Sequence, residues 1–124
     1  MPSIKISSAN ISLVAELNNS PTAQAIWKAL PIESTAKRWG DEIYFETPVE
    51  MQQEPEARCD MAVGEIAYWP PGNAFCIFFG PTPASHGKQP RAASAVNPIG
   101  HIVGDAKQFR AVKDGSKIYL AKNE

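Results

Sequence analysis

The stretch that decides the fold is residues 64–83, which read GEIAYWPPGNAFCIFFGPTP. Two apolar runs, residues 66–69 and 74–79, flank Pro-Pro-Gly-Asn, and such runs around turn-forming residues predict a β-hairpin. Proline presets φ at about −65° and glycine accepts a positive φ, so we expect a type II turn centred on Pro71 and Gly72. Because the second run is almost wholly apolar, we expect it to be covered on both faces, as in a sandwich or barrel.

The composition predicts one folded domain over residues 1–124. Hydrophobic residues make up 44% of the chain and charged residues 20%, as in ordinary globular proteins. Twelve basic and thirteen acidic side chains give a net charge of −1, so we expect no nucleic-acid partner. No apolar run approaches the roughly 20 residues that span a bilayer, and the N-terminus lacks the apolar core of a signal peptide. We therefore expect a cytoplasmic protein without a membrane partner.

Residues able to bind a metal or to act as nucleophiles are scattered. Cys59 and Cys76 lack CxxC spacing, which is typical of ordinary reduced thiols. His86 and His101 are far apart, and no Cys, His, Asp or Glu cluster has ligand spacing. We expect no metal and no cofactor. Carboxylate pairs such as Asp41/Glu42 are expected to face water, as neighbouring charges in strands and loops usually do.

Alternation and capping signals predict the elements before the hairpin. Apolar residues alternate with polar ones over residues 3–7 and 11–17, which predicts a pair of strands. Ser20 suits an N-cap and Pro21 suits the first position of a helix that stops at Pro31. Four apolar residues follow at helical spacing: Ala23, Ile26, Trp27 and Leu30. Residues 32–39 and 42–47 predict two strands around Gly40-Asp41, an order common in tight hairpins.

After the hairpin, residues 80–97 show no periodicity and are predicted to form a long loop, which in a compact domain is usually functional or disordered. A strand follows around residues 99–104. Asp105 then caps a helix of about two turns, and Gly115 ends it. Ile118 and Leu120 lie in the last predicted strand. Strands therefore dominate the predicted fold, with two helices at separate places.

The residues indicate an aromatic binding surface. Aromatic side chains on both sides of the double proline are able to line a concave pocket, with Asn73 as a polar group. Arg38 beside Trp39 is a second candidate, because a guanidinium next to an indole can bind a carbonyl or carboxylate. The alternatives are that the aromatic residues fill the core and that Arg38 is a solvated strand end. The candidate binding residues are Trp39, Tyr68, Trp69, Asn73, Phe75 and Phe78.

Several segments resemble cyclophilins. Residues 15–30 carry E-L, S-P-T-A and A-L, as in the cyclophilin opening, and residues 72–79 are similar to the cyclophilin strand N-G-S-Q-F-F-I. Residues 99–105 resemble F-G-K-V-V-E-G and its helix. WGDEIYF, YWPPGN and GPTP match a family of small prokaryotic cyclophilin-like proteins of uncharacterised function. The resemblance covers nearly the whole chain and implies a mainly β fold, a closed eight-stranded cyclophilin-like β-barrel capped by two short α-helices.

The resemblance also implies a place for a catalytic arginine. Cyclophilins carry it in a strand reading F-H-R-I-I-P, and its nearest equivalent here is Arg38, which is followed by Trp-Gly. Prolyl isomerisation has a barrier of about 20 kcal/mol, and lowering it requires donors positioned on the twisting amide. We expect a module that binds a peptide or small apolar ligand and has little or no isomerase activity. The alternatives are a prolyl isomerase that uses Arg38 and a homo-oligomer that buries the aromatic face.

Overall fold

The computed structural model describes residues 2–123, which form a mainly β fold. These residues contain one α-helix, α1 (Pro21–Ala29), and two 3₁₀ segments, Pro70–Gly72 and Ala106–Ala111. They also contain ten strands: β1 (Ser3–Ser8), β2 (Ile11–Leu17), β3 (Ile32–Thr35), β4 (Lys37–Arg38), β5 (Glu42–Glu46), β6 (Arg58–Asp60), β7 (Glu65–Trp69), β8 (Ala74–Phe78), β9 (Arg91–Val103) and β10 (Lys117–Lys122).

The strands form an open antiparallel sheet in the order β3-β10-β1-β2-β9-β7-β8-β5-β4, with β6 paired to β9 outside this path. The prediction of a closed eight-stranded barrel is therefore wrong. The strand predicted over residues 32–39 is interrupted at Ala36, whose N–H donates to the Ser116 carbonyl while its own carbonyl accepts from the Gly115 N–H. β3 and β4 consequently lie at opposite ends of the sheet, β3 on β10 and β4 on β5.

The two predicted helices are present, but only the first is an α-helix. The Ser20 side chain accepts from the Ala23 N–H at 3.1 Å, and Pro21 occupies the first turn of α1, as predicted. The second helix, Ala106–Ala111, is a 3₁₀ helix whose N-terminus is capped by Asp105, which accepts from the Lys107 N–H. None of the helices in residues 2–123 has the length and apolarity needed to cross a bilayer.

The sheet buries residues on both faces. Main-core residues from both ends of the chain, including Ile4, Ile6, Phe109 and Leu120, pack on one face. A smaller cluster on the other face, which we call the outer cluster, comprises Met61, Ala67, Cys76, Phe78, Ala92 and Val96, with Tyr44 and Trp69 against it. All five residues of β8 are buried, which confirms the prediction that this strand is covered on both sides.

Two local predictions around the aromatic hairpin are wrong. Pro70–Gly72 forms a 3₁₀ turn instead of a type II turn, and the positive φ falls at Asn73 (50°), not at Gly72. Asparagine tolerates this conformation because its short polar side chain bonds locally. The predicted loop over residues 80–97 is also too long, because β9 begins at Arg91 and its first half pairs with β6. The remaining loop follows Gly80 and ends at Pro90.

Candidate functional site

A cleft of about 210 Å³ opens on the outer face of the sheet, beside the outer cluster. Three aromatic side chains contribute to its walls, together with one carboxyl, one thiol and three small or branched apolar side chains. The lining residues are Trp39, Glu42, Tyr44, Trp69, Cys76, Ala92, Ala93 and Val96. Concave, mainly apolar sites with a few polar groups are the usual form of small-ligand sites.

The hairpin of β4 and β5 brings Trp39 and Glu42 together. The N–H of Trp39 donates to the Glu42 carbonyl at 3.0 Å, and the N–H of Glu42 donates to the Trp39 carbonyl at 3.3 Å. The intervening residues Gly40 and Asp41 form the tight turn predicted from the sequence. Gly40 has φ 62°, the left-handed region that favours glycine. Residues opposite each other in an antiparallel pair share a face, so both side chains reach the cleft.

The remaining walls come from β5, β7, β8 and β9. Tyr44 follows Glu42 by two residues on β5 and therefore points to the same face. The indole Nε1–H of Trp69, at the end of β7, donates to the Ser94 hydroxyl at 2.7 Å. Gly72 leaves room for this indole, because a Cβ at that position would lie 2.8 Å from its Cε3 and Cζ3 atoms. The six-membered ring of Trp69 is thus held against the 3₁₀ turn.

Glu42 is the charged group of the cleft, and it is only 5% exposed. Burial raises its pKa from 4.5 to about 7, although a hydrogen bond from the Cys76 thiol opposes this increase. Burial and the neighbouring Glu42 also raise the pKa of the Cys76 thiol well above its ordinary value. Cys76 is therefore a neutral thiol and a poor nucleophile. Glu42, in contrast, changes its charge near neutral pH.

The structure contradicts the expectation that Glu42 faces water. In β5 the alternation of side chains places Ile43 and Phe45 in the main core, which leaves Glu42 and Tyr44 on the outer face. That face is covered by the first half of β9, where Ala92 and Val96 are buried. Residues 80–97 are predicted to form a loop, so the prediction lacks the part of β9 that covers Glu42.

Arg38 lies on the other face of the hairpin from Trp39. Its Nη1 donates to the Val112 carbonyl at 2.9 Å, and its Nε and Nη2 donate to the Gly40 carbonyl at 3.2 and 3.0 Å. The guanidinium carbon lies 5.2 Å from the centre of the Phe79 ring, and Asp41 is 3.5 Å away. These contacts fasten the hairpin to the end of the 3₁₀ helix Ala106–Ala111. A catalytic role for Arg38 stays a prediction.

The other predicted binding residues are divided between the two faces. Trp39 and Trp69 line the cleft, and Phe78 lies in the outer cluster beside it. Tyr68 and Phe75 are buried in the main core, where Phe75 stacks on Phe45 with ring centres 5.1 Å apart. Asn73 lies in the turn, and its carbonyl accepts from the Thr47 N–H and hydroxyl. Ligand contacts by Tyr68, Asn73 and Phe75 stay predictions.

Sequence reasoning missed six of the cleft residues: Glu42, Tyr44, Cys76, Ala92, Ala93 and Val96. The positions of two of them, Glu42 and Tyr44, are predictable from the sequence. In a hairpin with Gly40-Asp41 as its turn, the period of two places Glu42 and Tyr44 on the face of Trp39. Across residues 2–123, groups of three or more His, Cys, Asp or Glu side chains arranged to hold a metal ion are absent.

The arrangement is suited to binding. Aromatic and aliphatic walls provide apolar contact, and a carboxyl that titrates near pH 7 provides one hydrogen-bonding group that switches from donor to acceptor. The thiol beside it is neutral.

Comparisons with known proteins agree with the fold. A family profile described as "Cyclophilin-like" matches residues 2–121. The solution structure of a hypothetical protein from Archaeoglobus fulgidus superposes with a TM-score of 0.85 at 42% sequence identity. That match covers 98% of this chain and 95% of the other. No curated protein sequence matches the chain significantly.

Proposed function

Since the chain belongs to the cyclophilin-like family, we propose that it is a binding module whose site is the outer cleft. The occupant is a small apolar ligand or an apolar side chain of a peptide. The observation that supports this proposal is that three aromatic side chains, Trp39, Tyr44 and Trp69, line one concave cleft. Aromatic rings provide a large apolar contact area at a low cost in side-chain entropy.

The wall geometry supports a preformed site. Trp39 is carried by a two-residue turn, and the Trp69 indole is held by Ser94 on one side and Gly72 on the other. Both indoles are half-buried. Because the Trp69 indole is already held in place, it loses little conformational freedom when a ligand arrives, so more of the apolar contact energy appears as affinity.

Prolyl isomerisation is the less favoured function. An isomerase needs a hydrogen-bond donor aimed at the amide that rotates, and this term usually contributes most of the rate enhancement. The nitrogens of Arg38 donate to main-chain carbonyls of Gly40, Arg110 and Val112. A guanidinium used in this way has little capacity left for a substrate. We propose that isomerase activity is weak or absent.

The experiment is a fragment screen followed through the indole N–H resonances in NMR spectra. The chain has three tryptophans, so the protein contains its own control. Trp39 and Trp69 line the cleft, whereas Trp27 lies on α1, with the Lys122 ammonium 4.8 Å from its ring centre. Each resonance is assigned by a single Trp→Phe variant. Apolar and aromatic fragments are expected to move the Trp39 and Trp69 resonances and to leave that of Trp27 in place.

Two outcomes would contradict the proposal. In the first, no fragment or short peptide moves the resonances of Trp39 and Trp69 at millimolar concentration. In the second, the shifts are confined to Trp27. A protease-coupled assay on proline-containing peptides tests the isomerase alternative separately, and we expect the rate with the protein to equal the uncatalysed rate.

A further inference from the structure

We propose that the occupant of the outer cleft is an organic cation, a protonated amine with an apolar substituent, whose N–H donates to the Glu42 carboxylate. The substituent lies among Trp39, Tyr44 and Trp69. This inference rests on the proposed function, since it names the chemical class of the ligand that the same cleft binds. It follows from the position of Glu42, from the charges around it and from the aromatic walls.

The position of Glu42 gives the first reason. Its main-chain N–H and carbonyl are both bonded to Trp39, so its backbone is fixed and its side chain is directed to the outer face. The residue is 5% exposed and is one of the residues that line the cleft. A carboxyl in such a place is costly unless it is paired, because burial removes the water that would solvate its charge.

The surrounding charges give the second reason. The two arginines near the hairpin, Arg38 and Arg110, lie 3.5 and 3.1 Å from the carboxylate of Asp41. From β8 the group that meets Glu42 is the Cys76 thiol, and from its own strand it is Tyr44. Among the eight lining residues there is no lysine, arginine or histidine. Lys37 lies opposite Tyr44 on the same face, but it is exposed and is not one of the lining residues. The protein therefore places a buried acid in a cleft whose lining carries no basic side chain.

The aromatic walls give the third reason. The faces of tryptophan and tyrosine rings carry negative electrostatic potential and attract cations, and a desolvated cation gains more from them than a solvated one. Two indoles and one phenol beside a buried carboxylate therefore give the cleft a negative electrostatic potential. An ammonium ion in the cleft would keep Glu42 ionised and replace the solvation that burial removes.

The opposite class of ligand makes a distinct prediction. A carbonyl compound would accept a hydrogen bond from protonated Glu42, so its affinity would decrease as the pH rises. An amine needs the carboxylate, and its affinity must increase with pH. With a pKa of about 7, Glu42 is mainly protonated at pH 6 and mainly ionised at pH 8. We expect benzylammonium to bind about tenfold more tightly at pH 8 than at pH 6.

The test is a titration with benzylammonium chloride and with its neutral isostere benzyl alcohol, followed through the Trp39 and Trp69 indole resonances. At pH 8 we expect benzylammonium to bind at least tenfold more tightly than benzyl alcohol. Glu42→Gln keeps the shape of the side chain and removes its charge, so it is expected to abolish this preference. The matched control is Glu46→Gln, an exposed glutamate on the same face of β5, which should retain the preference.

The outcomes separate this inference from the proposed function. If benzylammonium and benzyl alcohol bind equally, or if the affinity for benzylammonium decreases as the pH rises, the proposal that the ligand is a cation is wrong. The proposal that the cleft is a binding site then still stands. If neither compound nor any other fragment moves the two indole resonances, both proposals fail. The pH dependence is measured on the wild-type protein and does not depend on the folding of Glu42→Gln. Capped lysine peptides tested beside the free amine show whether the cation is a peptide side chain or a small molecule.

Discussion

Trp39 and Glu42 face each other across a two-residue turn, joined by main-chain hydrogen bonds of 3.0 and 3.3 Å, and both side chains enter the same cleft. One residue supplies an aromatic wall and the other the buried acid. The turn between them is anchored to the following loop, because the Asp41 N–H donates to the Pro81 carbonyl at 2.9 Å. The geometry of Gly40-Asp41 therefore determines whether the two groups meet.

Gly40→Ala tests this dependence. The residue has φ 62°, and an added Cβ would lie 2.9 Å from both Thr82 Cα and Pro83 Cδ. We expect a loss of about 1–3 kcal/mol in the free energy of unfolding from the backbone conformation alone, with weaker binding in the cleft. Urea unfolding and the indole titration measure both effects. Gly87→Ala, at a position with no heavy atom within 4 Å of the added Cβ, is the control and should behave as wild type.

The ionisation of Glu42 predicts how stability depends on pH. The pKa of Glu42 is about 7 in the folded protein, whereas its ordinary value is 4.5. Between these two pH values the folded state therefore binds more protons than the unfolded state. The free energy of unfolding then falls as the pH rises from 4.5 through 7, by about 3 kcal/mol for this group. Glu42→Gln should remove this decrease, whereas Glu46→Gln should retain it. Urea unfolding at pH 5, 6, 7 and 8 measures it, and parallel curves for wild type and Glu42→Gln would contradict the assignment.

Much of the fold could be predicted because local signals and tertiary structure agree. The N-cap at Ser20, the proline at the start of α1 and the alternation of β1 and β2 are all read from neighbouring residues. The double coverage of β8 followed from its continuous apolar run. The predicted closure of the sheet is wrong, because residues 32–39 divide into β3, which pairs with β10, and β4, which pairs with β5.

The candidate site was only half predictable for a related reason. The sequence prediction assigns both members of two adjacent pairs, Arg38 with Trp39 and Tyr68 with Trp69, to binding, yet neighbours in a strand point to opposite faces. The period of two was therefore sufficient to separate them. The burial of Glu42 could not be predicted in the same way. The residues that cover it belong to β9, about fifty residues later, in a stretch without visible periodicity.

Tyr68→Phe tests the division between the two faces. The Tyr68 hydroxyl donates to the Val49 carbonyl at 2.6 Å and accepts from the Met51 N–H at 3.2 Å. Its loss leaves these main-chain groups without their partner, so we expect a decrease of about 1–2 kcal/mol in the free energy of unfolding. Hydrogen exchange at the Met51 amide should accelerate. Cleft affinity should stay within twofold of wild type.

The control for this change is Tyr119→Phe, because Tyr119 is the exposed tyrosine of β10. It should leave stability unchanged within about 0.5 kcal/mol. A large loss of ligand affinity in Tyr68→Phe, with stability preserved, would show that the main-core face takes part in binding.

Arg38→Ala separates a structural from a catalytic role. The guanidinium binds carbonyls on the hairpin and at the end of the 3₁₀ helix, and its side chain is 25% exposed. Hydrogen bonds to charged groups contribute about 1.5–3 kcal/mol, so we expect the free energy of unfolding to fall by about 2 kcal/mol. The measurement is urea unfolding beside the indole titration, where affinity should decrease, because Arg38 holds the Gly40 carbonyl of the turn that carries Trp39 and Glu42. Lys37→Ala, the exposed neighbour on β4, should leave the free energy of unfolding unchanged within about 0.5 kcal/mol.

The same variant decides the isomerase alternative, provided that the assay is run below the unfolding temperature of Arg38→Ala. If wild type accelerates prolyl isomerisation and the folded variant does not, Arg38 acts on substrate and its carbonyl contacts are secondary. If wild type shows no acceleration, the arginine serves to hold the hairpin. The second result is the expected one, because the Gly40 and Val112 carbonyls already occupy its donors.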